Sequence, residues 1–407
     1  MKVQNREDIA VVGGGITGVF AAQELANNGY NVTIFDEHPT LIAGTSGRAM
    51  TVHSGPEYSG SMPTAIDCLH SAIEFKKRFP EASGDHTVNY LVASDSQISM
   101  TEYQEFMDDL AGYYSSLPSE DHVLGRPELF YRAYEKDRFP FIKNIEGGIA
   151  AQDVTFNMDA LRNRFIPTIG ALGIRFVPQS GVKEVTRDGD QFKLDYTVGQ
   201  DKHVKVFDQV VNTGGYKSIL LDSAFGDKTP YALNFKTFHL VTEDTPPLPA
   251  FAVVRGNFMT HYPYPRIPGF TSTISALNAA GSSKGSIIQK LELNPSNLVI
   301  PPEIDEIMLS GIVPDSEKRT KNILDFISAN FIPDARNRFH SVGLVPGVAV
   351  AYKSSEHDRN QPGPRELAPG YHTCVATKAT HAPFLSRKIL ELVMARSISN
   401  NLSSVNQ

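Results

Sequence analysis

The glycine-rich run Gly13-Gly14-Gly15-Ile16-Thr17-Gly18 has the residue types and spacing that bind a pyrophosphate. It follows an apolar β-branched run beginning at Ile9 and precedes a helical pattern, so it predicts a turn from strand to helix. In such a turn Gly13 permits the tight bend, Gly15 admits the phosphates to the backbone, and Gly18 lets helix and strand pack closely. The helix N-terminus then offers N–H groups and a positive dipole end to the anion.

An acidic residue completes this motif. Asp36 ends the second apolar run about twenty residues after the loop, the spacing at which a carboxylate accepts hydrogen bonds from ribose hydroxyls. Glu37 is the neighbouring alternative. Strand, loop, helix, strand and acid together predict a βαβ unit that binds a dinucleotide.

The composition of the whole chain narrows the function classes. The 407 residues allow two or three domains, and the net charge of −7 does not favour a nucleic-acid partner. No apolar run has the length of a transmembrane segment, and the charged start "MKVQNRED" leads directly into the first strand, which leaves no room for a secretory signal. Cys68 and Cys374 lack the spacing of metal ligands and are too few for a disulfide framework, so we expect a cytoplasmic protein without a metal site.

The elements that position the motif fall into two groups. Helical patterns cover about 64–79, 101–117, 316–331 and 382–398, and a further helix carries Leu161, Phe165 and Leu172 on an apolar face. Alternating strand patterns cover about 235–277. We predict an α/β protein with a Rossmann-like nucleotide-binding domain from 1–80, 147–220 and 339–407. A discontinuous α+β substrate domain, built on an antiparallel sheet, takes 81–146 and 221–338; residues 81–146 read as polar, irregular and partly helical.

Four stretches together resemble the D-amino-acid oxidase superfamily of flavoproteins, which includes glycine oxidase, L-2-hydroxyglutarate dehydrogenase and FAD-dependent glycerol-3-phosphate dehydrogenases. They are the glycine loop with Asp36 where the family usually has Glu, "GTSGRAMTVHSG", "GVKEV" with "VVNTGGYKS", and "GYHTCVATKATHAPFLSRKI". One Rossmann loop does not separate NAD from FAD. The resemblance of all four stretches implies FAD.

The resemblance also implies which residues contact FAD. They comprise backbone donors, hydroxyls, acids and one arginine suited to phosphate and ribose: Gly13, Gly15, Ile16, Thr17, Gly18, Asp36 or Glu37, Thr45, Ser46, Arg48, Val182, Gly214, Thr377, Lys378, Ala379 and Thr380. Pro383 fits the first turn of the closing helix, whose N-terminus would then point at the flavin. Lys378 would stabilise the anionic reduced ring, unless it is a solvated loop lysine.

The sequence departs from the family where relatives place a carboxylate-binding arginine. The apparent counterpart is "VGLVPG", with Val345 in the arginine's place. An aliphatic side chain cannot pair with a carboxylate, so either another cation does so or the substrate has no carboxylate there. Arg359 and Arg365 are the nearest replacements in the sequence.

Two further residues are candidates for the chemistry itself. "TVHSG" resembles segments that pass the flavin in the hydroxy-acid and glycerol-phosphate dehydrogenases, and a neutral His53 there would accept a hydroxyl proton. A hydrogen-bonded structural histidine and a covalent link to flavin remain alternatives. On the predicted strand "THYPYP", His261 and Tyr262 point to opposite faces, and we expect Tyr262 to line the substrate pocket.

These observations predict an FAD-dependent oxidoreductase that moves a hydride from a C–N or C–OH carbon of a small molecule to flavin N5. Dioxygen or a quinone or carrier is the expected electron acceptor. An NAD-dependent dehydrogenase and a flavin-binding protein without turnover are the alternatives.

Overall fold

The computed structural model describes residues 7–48, 51–243, 248–263, 272–277, 286–293, 298–352, 363–375 and 379–405. The helices are α1 Ile16–Asn27, α2 Met62–Arg78, α3 Met100–Ser116, α4 Met158–Ala171, α5 Ser218–Asp222, α6 Pro302–Ser310, α7 Ser316–Asn330, α8 Ala335–Arg338 and α9 Ala382–Val405. The strands are β1 Asp8–Val12, β2 Asn31–Phe35, β3 Thr51–Val52, β4 Ser83–Ala93, β5 Tyr131–Glu135, β6 Ile145–Phe156, β7 Arg175–Val177, β8 Ser180–Asp188, β9 Gln191–Val198, β10 Asp201–Phe207, β11 Gln209–Asn212, β12 Tyr231–Glu243, β13 Phe251–Val254, β14 Phe258–Pro263, β15 Ser272–Leu277, β16 Ile287–Leu293, β17 Phe339–Tyr352, β18 Arg365–Ala368 and β19 Tyr371–Thr373.

A six-stranded sheet carries the glycine loop. Its strand order is β18-β19-β11-β1-β2-β7, and every neighbouring pair is parallel except β18 with β19. Both faces of β1 are covered. Ile9 and Val11 pack in a core shared with α1 and α9, whereas Ala10 and Val12 pack against the antiparallel sheet β10-β9-β8. Burial on both faces explains why β1 is apolar at consecutive positions.

A larger sheet forms the second layer of the molecule. Its order is β16-β12-β15-β14-β13-β4-β6-β3, with β17 also paired to β12 and β5 to β6. The pair β13 and β4 is parallel, and the other pairs are antiparallel. Side chains alternate along β13: Ala252 and Val254 lie in the core shared with α1, and Phe251 and Val253 pack in a core shared with α7. One face of this sheet therefore points toward the nucleotide-binding layer.

The predicted fold class is confirmed, because a Rossmann-like sheet and a largely antiparallel sheet are both present. The predicted helices near 64–79, 101–117 and 316–331 match α2, α3 and α7, and the helix predicted to carry Leu161 and Phe165 is α4. Within 81–146, the 11-residue strand β4 was not predicted. The domain boundaries stay a prediction. Strands β3 and β17 and most of β6 fall in the ranges assigned to the nucleotide-binding domain, but they hydrogen-bond within the larger sheet.

The described helices include none that combines the length and the apolar character needed to cross a membrane.

Candidate functional site

The glycine loop has the shape that close contact with a ligand requires. Gly13 has a φ of +100°, and a Cβ there would lie 2.5 Å from the carbonyl oxygen of Thr213. A Cβ on Gly18 would lie 1.9 Å from the carbonyl oxygen of Gly13, so only glycine allows α1 to approach the loop this closely. Gly15 is the N-cap of α1, and it has no side chain that could hydrogen-bond to the first N–H groups of the helix. The N-terminus of the helix is thus arranged to receive a phosphate.

Asp36 lies directly beside this loop. Its Oδ2 accepts a hydrogen bond of 2.5 Å from the Gly14 N–H, and its Oδ1 accepts one of 2.7 Å from the His38 N–H. Oδ1 also lies 2.9 Å from Nδ1 of His38, so Oδ2 is the oxygen that retains capacity for another donor, such as a ribose hydroxyl. Glu37 instead pairs with Lys217, Oε2 to Nζ at 2.6 Å. Asp36 is therefore better placed than Glu37 for the predicted ribose contact.

A cavity of about 460 Å³ opens at the carboxyl ends of these parallel strands. Its walls include Gly13, Asp36, Val182 and Gly214, all predicted FAD contacts, and apolar residues from 298–300 close the other side. Ligands of open α/β sheets bind at such a crevice. The lining suits the adenosine half of FAD, with an acid for ribose, aliphatic carbons for adenine and a helix N-terminus for phosphate.

The loop after β2 makes contacts that the sequence did not predict. Residues Thr45–Arg48, which include Ser46, form a short 3-10 helix. Arg48 donates hydrogen bonds to the carbonyl oxygens of Pro346 (2.9 Å) and Met308 (3.1 Å). The guanidinium thus ties this loop to β17 and to the last turn of α6. A phosphate contact by Arg48 stays a prediction.

His53 lies between two carboxylates. Its Nδ1 is 3.2 Å from Oδ2 of Asp153, and its Nε2 is 2.7 Å from Oε2 of Glu57. Burial alone would lower the pKa of His53, but the charge of Glu57 and the contacts with Asp153 raise it to about 10. His53 is accordingly an imidazolium at neutral pH, with both N–H groups facing acids. This differs from the neutral imidazole that the sequence led us to expect.

The acids of this cluster were missed by the sequence analysis. Asp153 is 1% exposed and also accepts hydrogen bonds from the Ser54 N–H (2.7 Å) and the Tyr90 hydroxyl (2.5 Å). Its signal was an acid inside the apolar strand sequence "AAQDVTF". Glu57 is four residues after His53, but the two residues do not belong to one helix. Glu57 lies in a short 3-10 turn, Pro56–Tyr58, that begins after His53.

Tyr262 and His261 occupy opposite faces of β14, as alternation predicts. His261 packs against Phe251 and pairs with Glu243, Nε2 to Oε1 at 2.7 Å. The Tyr262 ring lies 6.0 Å from the His53 ring, centroid to centroid. Its hydroxyl is buried and has no hydrogen-bond partner among the described residues. A buried unpaired hydroxyl is costly unless a ligand or water satisfies it.

We call the surface of the larger sheet on this side the Tyr262 face. Cross-strand pairing places Thr273 opposite Tyr262, and Leu240 opposite Thr273. Two residues further along β12, Phe238 pairs with Val345. Val345 packs with Phe238 and Leu240, so the position of the family's arginine is apolar on this face.

Arg365, one of the two candidate replacements for the missing arginine, is paired with an acid. Its Nη2 lies 2.8 Å from Oδ2 of Asp227, and its Nη1 lies 3.0 Å from Oγ1 of Thr229. These contacts fix the start of β18. Arg359, Thr377 and Lys378 lie outside the described residues.

The closing segment begins with a 3-10 turn, Ala379–His381, that leads into α9. Thr380 and His381 are buried, and Nε2 of His381 is 3.6 Å from Sγ of Cys68. Pro383 is the second residue of α9, where its missing N–H costs nothing. The backbone geometry predicted for this segment is thus present, whereas the FAD contacts of Ala379 and Thr380 stay predictions.

No cluster of potential metal ligands occurs in the part of the chain that is described.

The fold and the site define a flavin-dependent oxidoreductase of the Rossmann type. A family model described as "FAD dependent oxidoreductase" (DAO) matches residues 8–291, and the chain belongs to this family. Its cofactor is FAD, so the NAD-dependent alternative is set aside.

Among the proteins similar to this chain are a curated protein and two solved structures. The FAD-dependent monooxygenase kojA of Aspergillus flavus is 28% identical over 256 residues, which are 61% of this chain and 55% of that protein. The match thus spans about half the length of the curated relative. Among solved structures, NikD, described as an unusual amino acid oxidase essential for nikkomycin biosynthesis, has a TM-score of 0.68 at 15% identity and covers 96% of this chain and 94% of its own. Glycine oxidase from Geobacillus kaustophilus has a TM-score of 0.65 at 16% identity, with 96% and 95% covered. At these identities the two structures support the fold alone.

Proposed function

We propose that this protein oxidises a small molecule at a carbon that bears a hydroxyl or an amine, and that the Tyr262 face is the substrate surface. The observation that carries the proposal is the buried, unpartnered hydroxyl of Tyr262 beside the His53 cluster. The hydroxyl residues Thr260 and Ser275 are cross-strand partners on the same face and are also buried. Such a face suits a polar substrate that brings hydrogen-bonding groups of its own.

FAD bound in this fold supplies an acceptor for a hydride. We propose that Gly13, Gly18 and the N-terminus of α1 hold its pyrophosphate, that Asp36 holds the ribose, and that Val182 contacts adenine. The remaining predicted contacts are proposed on the resemblance: Gly15, Ile16, Thr17, Thr45, Ser46, Arg48, Gly214, Thr377, Lys378, Ala379 and Thr380.

We assign Tyr262 and His53 different roles. Tyr262 orients the substrate through its hydroxyl, which can donate to or accept from a substrate oxygen or nitrogen. His53 is held protonated by Glu57 and Asp153, so its ring does not accept a proton from the substrate, and its single positive charge is shared between the two acids. Its Nδ1 contact also fixes the orientation of the ring.

The apolar surroundings of Val345 bear on the substrate class. Phe238 and Leu240 pack against it, and Lys236 places a cation over this cluster, with its Nζ 4.8 Å from the centre of the Phe238 ring. We propose a substrate without a carboxylate at this position, in contrast with simple glycine or sarcosine oxidation. Arg359, if it reaches the site, is the alternative cation.

A monooxygenase is the second candidate function, because the curated relative carries that name. Dioxygen would then be a co-substrate, whereas an oxidase or a dehydrogenase would pass electrons to dioxygen or to a quinone or carrier. We propose a cytoplasmic location on the basis of the composition and the two free, buried cysteines.

Anaerobic absorbance spectra of the holoenzyme test these proposals. Amines, amino acids, hydroxy compounds and polyol phosphates are added one at a time, and NAD(P)H separately. Bleaching by one compound supports direct oxidation, whereas bleaching by NAD(P)H alone supports the monooxygenase. A flavin that nothing bleaches would contradict both functions and favour a protein without turnover.

The Tyr262→Phe variant tests the assignment of the substrate surface. Slower bleaching with an unchanged flavin spectrum is the expected result. Tyr113→Phe is the matched control, because the Tyr113 hydroxyl lies at the exposed surface, 2.7 Å from Nε2 of His70. Equal bleaching rates in the two variants would remove Tyr262 from the site.

A further inference from the structure

A second cavity, of about 150 Å³, lies between the start of α2 and the turn that joins β13 to β14. Glu57, Tyr58 and Ser61 line one side, and Arg255 and Phe258 line the other. A cavity of this volume holds a six-membered ring in other proteins, so it has room for a carboxylate or a phosphate group. Nothing in the FAD site accounts for it.

Arg255 is the charged group of this cavity. Within the described part of the chain its guanidinium makes no ion pair or hydrogen bond, and its Nε is buried. An arginine side chain stays protonated, and a partly buried charge without a partner is costly. Two of the arginines named above are engaged by contrast: Arg48 by two carbonyls and Arg365 by Asp227. Arg255 therefore lacks the counter-ion that its surroundings call for.

The turn that carries Arg255 is held in a strained conformation. Arg255 has a φ of +57°, which residues with a Cβ rarely adopt. Its carbonyl oxygen accepts hydrogen bonds from the Gln97 N–H (2.6 Å) and the Ser96 hydroxyl (3.0 Å). Asn257 donates to Asp95 at 2.8 Å. Strain that is fixed by several bonds is typical of functional positions, and here it directs a cation into the cavity.

The opposite wall also suits an anion. Ser61 is the N-cap of α2, a helix of 17 residues, so the positive end of the helix dipole lies at the cavity. Glu57 is the acid in this wall; its Oε2 lies 2.7 Å from Nε2 of His53, whose positive charge offsets it in part, because Asp153 contacts the same ring.

We propose that this cavity binds the carboxylate or phosphate group of a small anion, with Arg255 as its charged partner. The site is separate from the apolar position of Val345, and its ability to bind does not depend on whether the flavin turns over.

Calorimetric titration of the holoenzyme at constant ionic strength tests the proposal, with inorganic phosphate and succinate as probes and chloride as the reference. We expect one of the probes to bind saturably. Arg255→Met should weaken that binding at least about tenfold, the effect of losing one charge-assisted contact. Arg187→Met is the matched control, because Arg187 is exposed in the β8–β9 hairpin, which belongs to a different sheet from β13 and β14.

A second variant keeps the charge and moves it. A Cβ on Gly60 would lie 2.5 Å from Nη1 of Arg255, so Gly60→Ala should push the flexible guanidinium out of the cavity and weaken binding without removing the cation. Binding of phosphate but not succinate would identify a phosphate site, and the reverse a carboxylate site. Absence of binding by both probes, or binding that neither variant weakens while both remain folded with FAD, would overturn the proposal.

Discussion

The ionisation of His53 gives the sharpest test of the site. Its pKa rises from an ordinary value of 6.5 to about 10, because Glu57 and Asp153 outweigh the effect of burial. Each pH unit across this interval corresponds to about 1.4 kcal/mol, so the contacts of the protonated ring contribute about 5 kcal/mol to the free energy of unfolding. This contribution is complete below pH 6.5 and declines as the pH rises through 10, because the folded state alone retains the proton in that interval.

Glu57→Gln is the perturbation that tests this account. It removes the largest contribution that raises the pKa of His53 but keeps the size of the side chain. We expect the pKa to fall by at least about one unit, and the free energy of unfolding at pH 7 to drop by about 1–3 kcal/mol, as for a buried charge that loses one partner. The histidine ring-proton resonances are followed by NMR between pH 5 and 10.5, with His53→Gln used for assignment.

The control variant is Glu74→Gln, since Glu74 pairs with Arg78 and Arg387 nearer the surface. It should change stability by less than about 1 kcal/mol and leave the His53 titration unchanged. A wild-type His53 that titrates near pH 6.5, or a titration that Glu57→Gln does not alter, would refute the reasoning.

Three further predictions concern packing and burial. Gly18→Ala places a Cβ 1.9 Å from the Gly13 carbonyl oxygen, so this variant should lose FAD and at least about 2 kcal/mol of the free energy of unfolding. Gly112→Ala in α3 has open space around the new Cβ and should retain FAD. Flavin absorbance per polypeptide and urea unfolding measure the two effects. Tyr262→Phe removes an unpaired buried hydroxyl, so the melting temperature should stay equal or rise, and a clear drop would reveal a partner for that hydroxyl. Burial raises the pKa of Asp222 from 3.8 to about 6. As the pH rises from 4 to 6, the free energy of unfolding of the wild type should therefore fall by about 3 kcal/mol relative to that of Asp222→Asn. Urea unfolding of the two proteins at each pH measures this difference, and a difference that stays constant would contradict the prediction.

The nucleotide unit could be predicted from sequence because its determinants are local. The βαβ pattern, the glycine spacing and Asp36 lie within about 30 residues, the length of one such unit. Gly18 illustrates the point, since its expected role in close packing corresponds to the 1.9 Å that would separate an added Cβ from the Gly13 carbonyl oxygen.

Strand β4 could not be predicted in the same way. Its sequence, "SGDHTVNYLVA", begins with polar residues, and its partners β6 and β13 lie far along the chain. Strand propensity depends on such neighbours, so a central strand with polar positions reads as irregular when they are unknown.

The partners of the charged residues could not be predicted from the sequence either. Arg48 bonds to carbonyls 260 and 298 residues away, and the acid on Nδ1 of His53 is 100 residues away. Sequence patterns identified the charged residues but not what they face. The protonation of His53 therefore became visible only once Asp153 and Glu57 were placed.

The order of strands in the six-stranded sheet has a consequence for synthesis on the ribosome. The glycine loop and Asp36 emerge early, but β11, which carries the residues leading to Gly214, pairs with β19 at Tyr371–Thr373, and α9 covers α1. The nascent chain must therefore expose the uncovered face of α1 until α9 has left the exit tunnel. Secure capture of the cofactor is thus a late event in biogenesis, and nascent chains stalled before β19 are natural clients for chaperones.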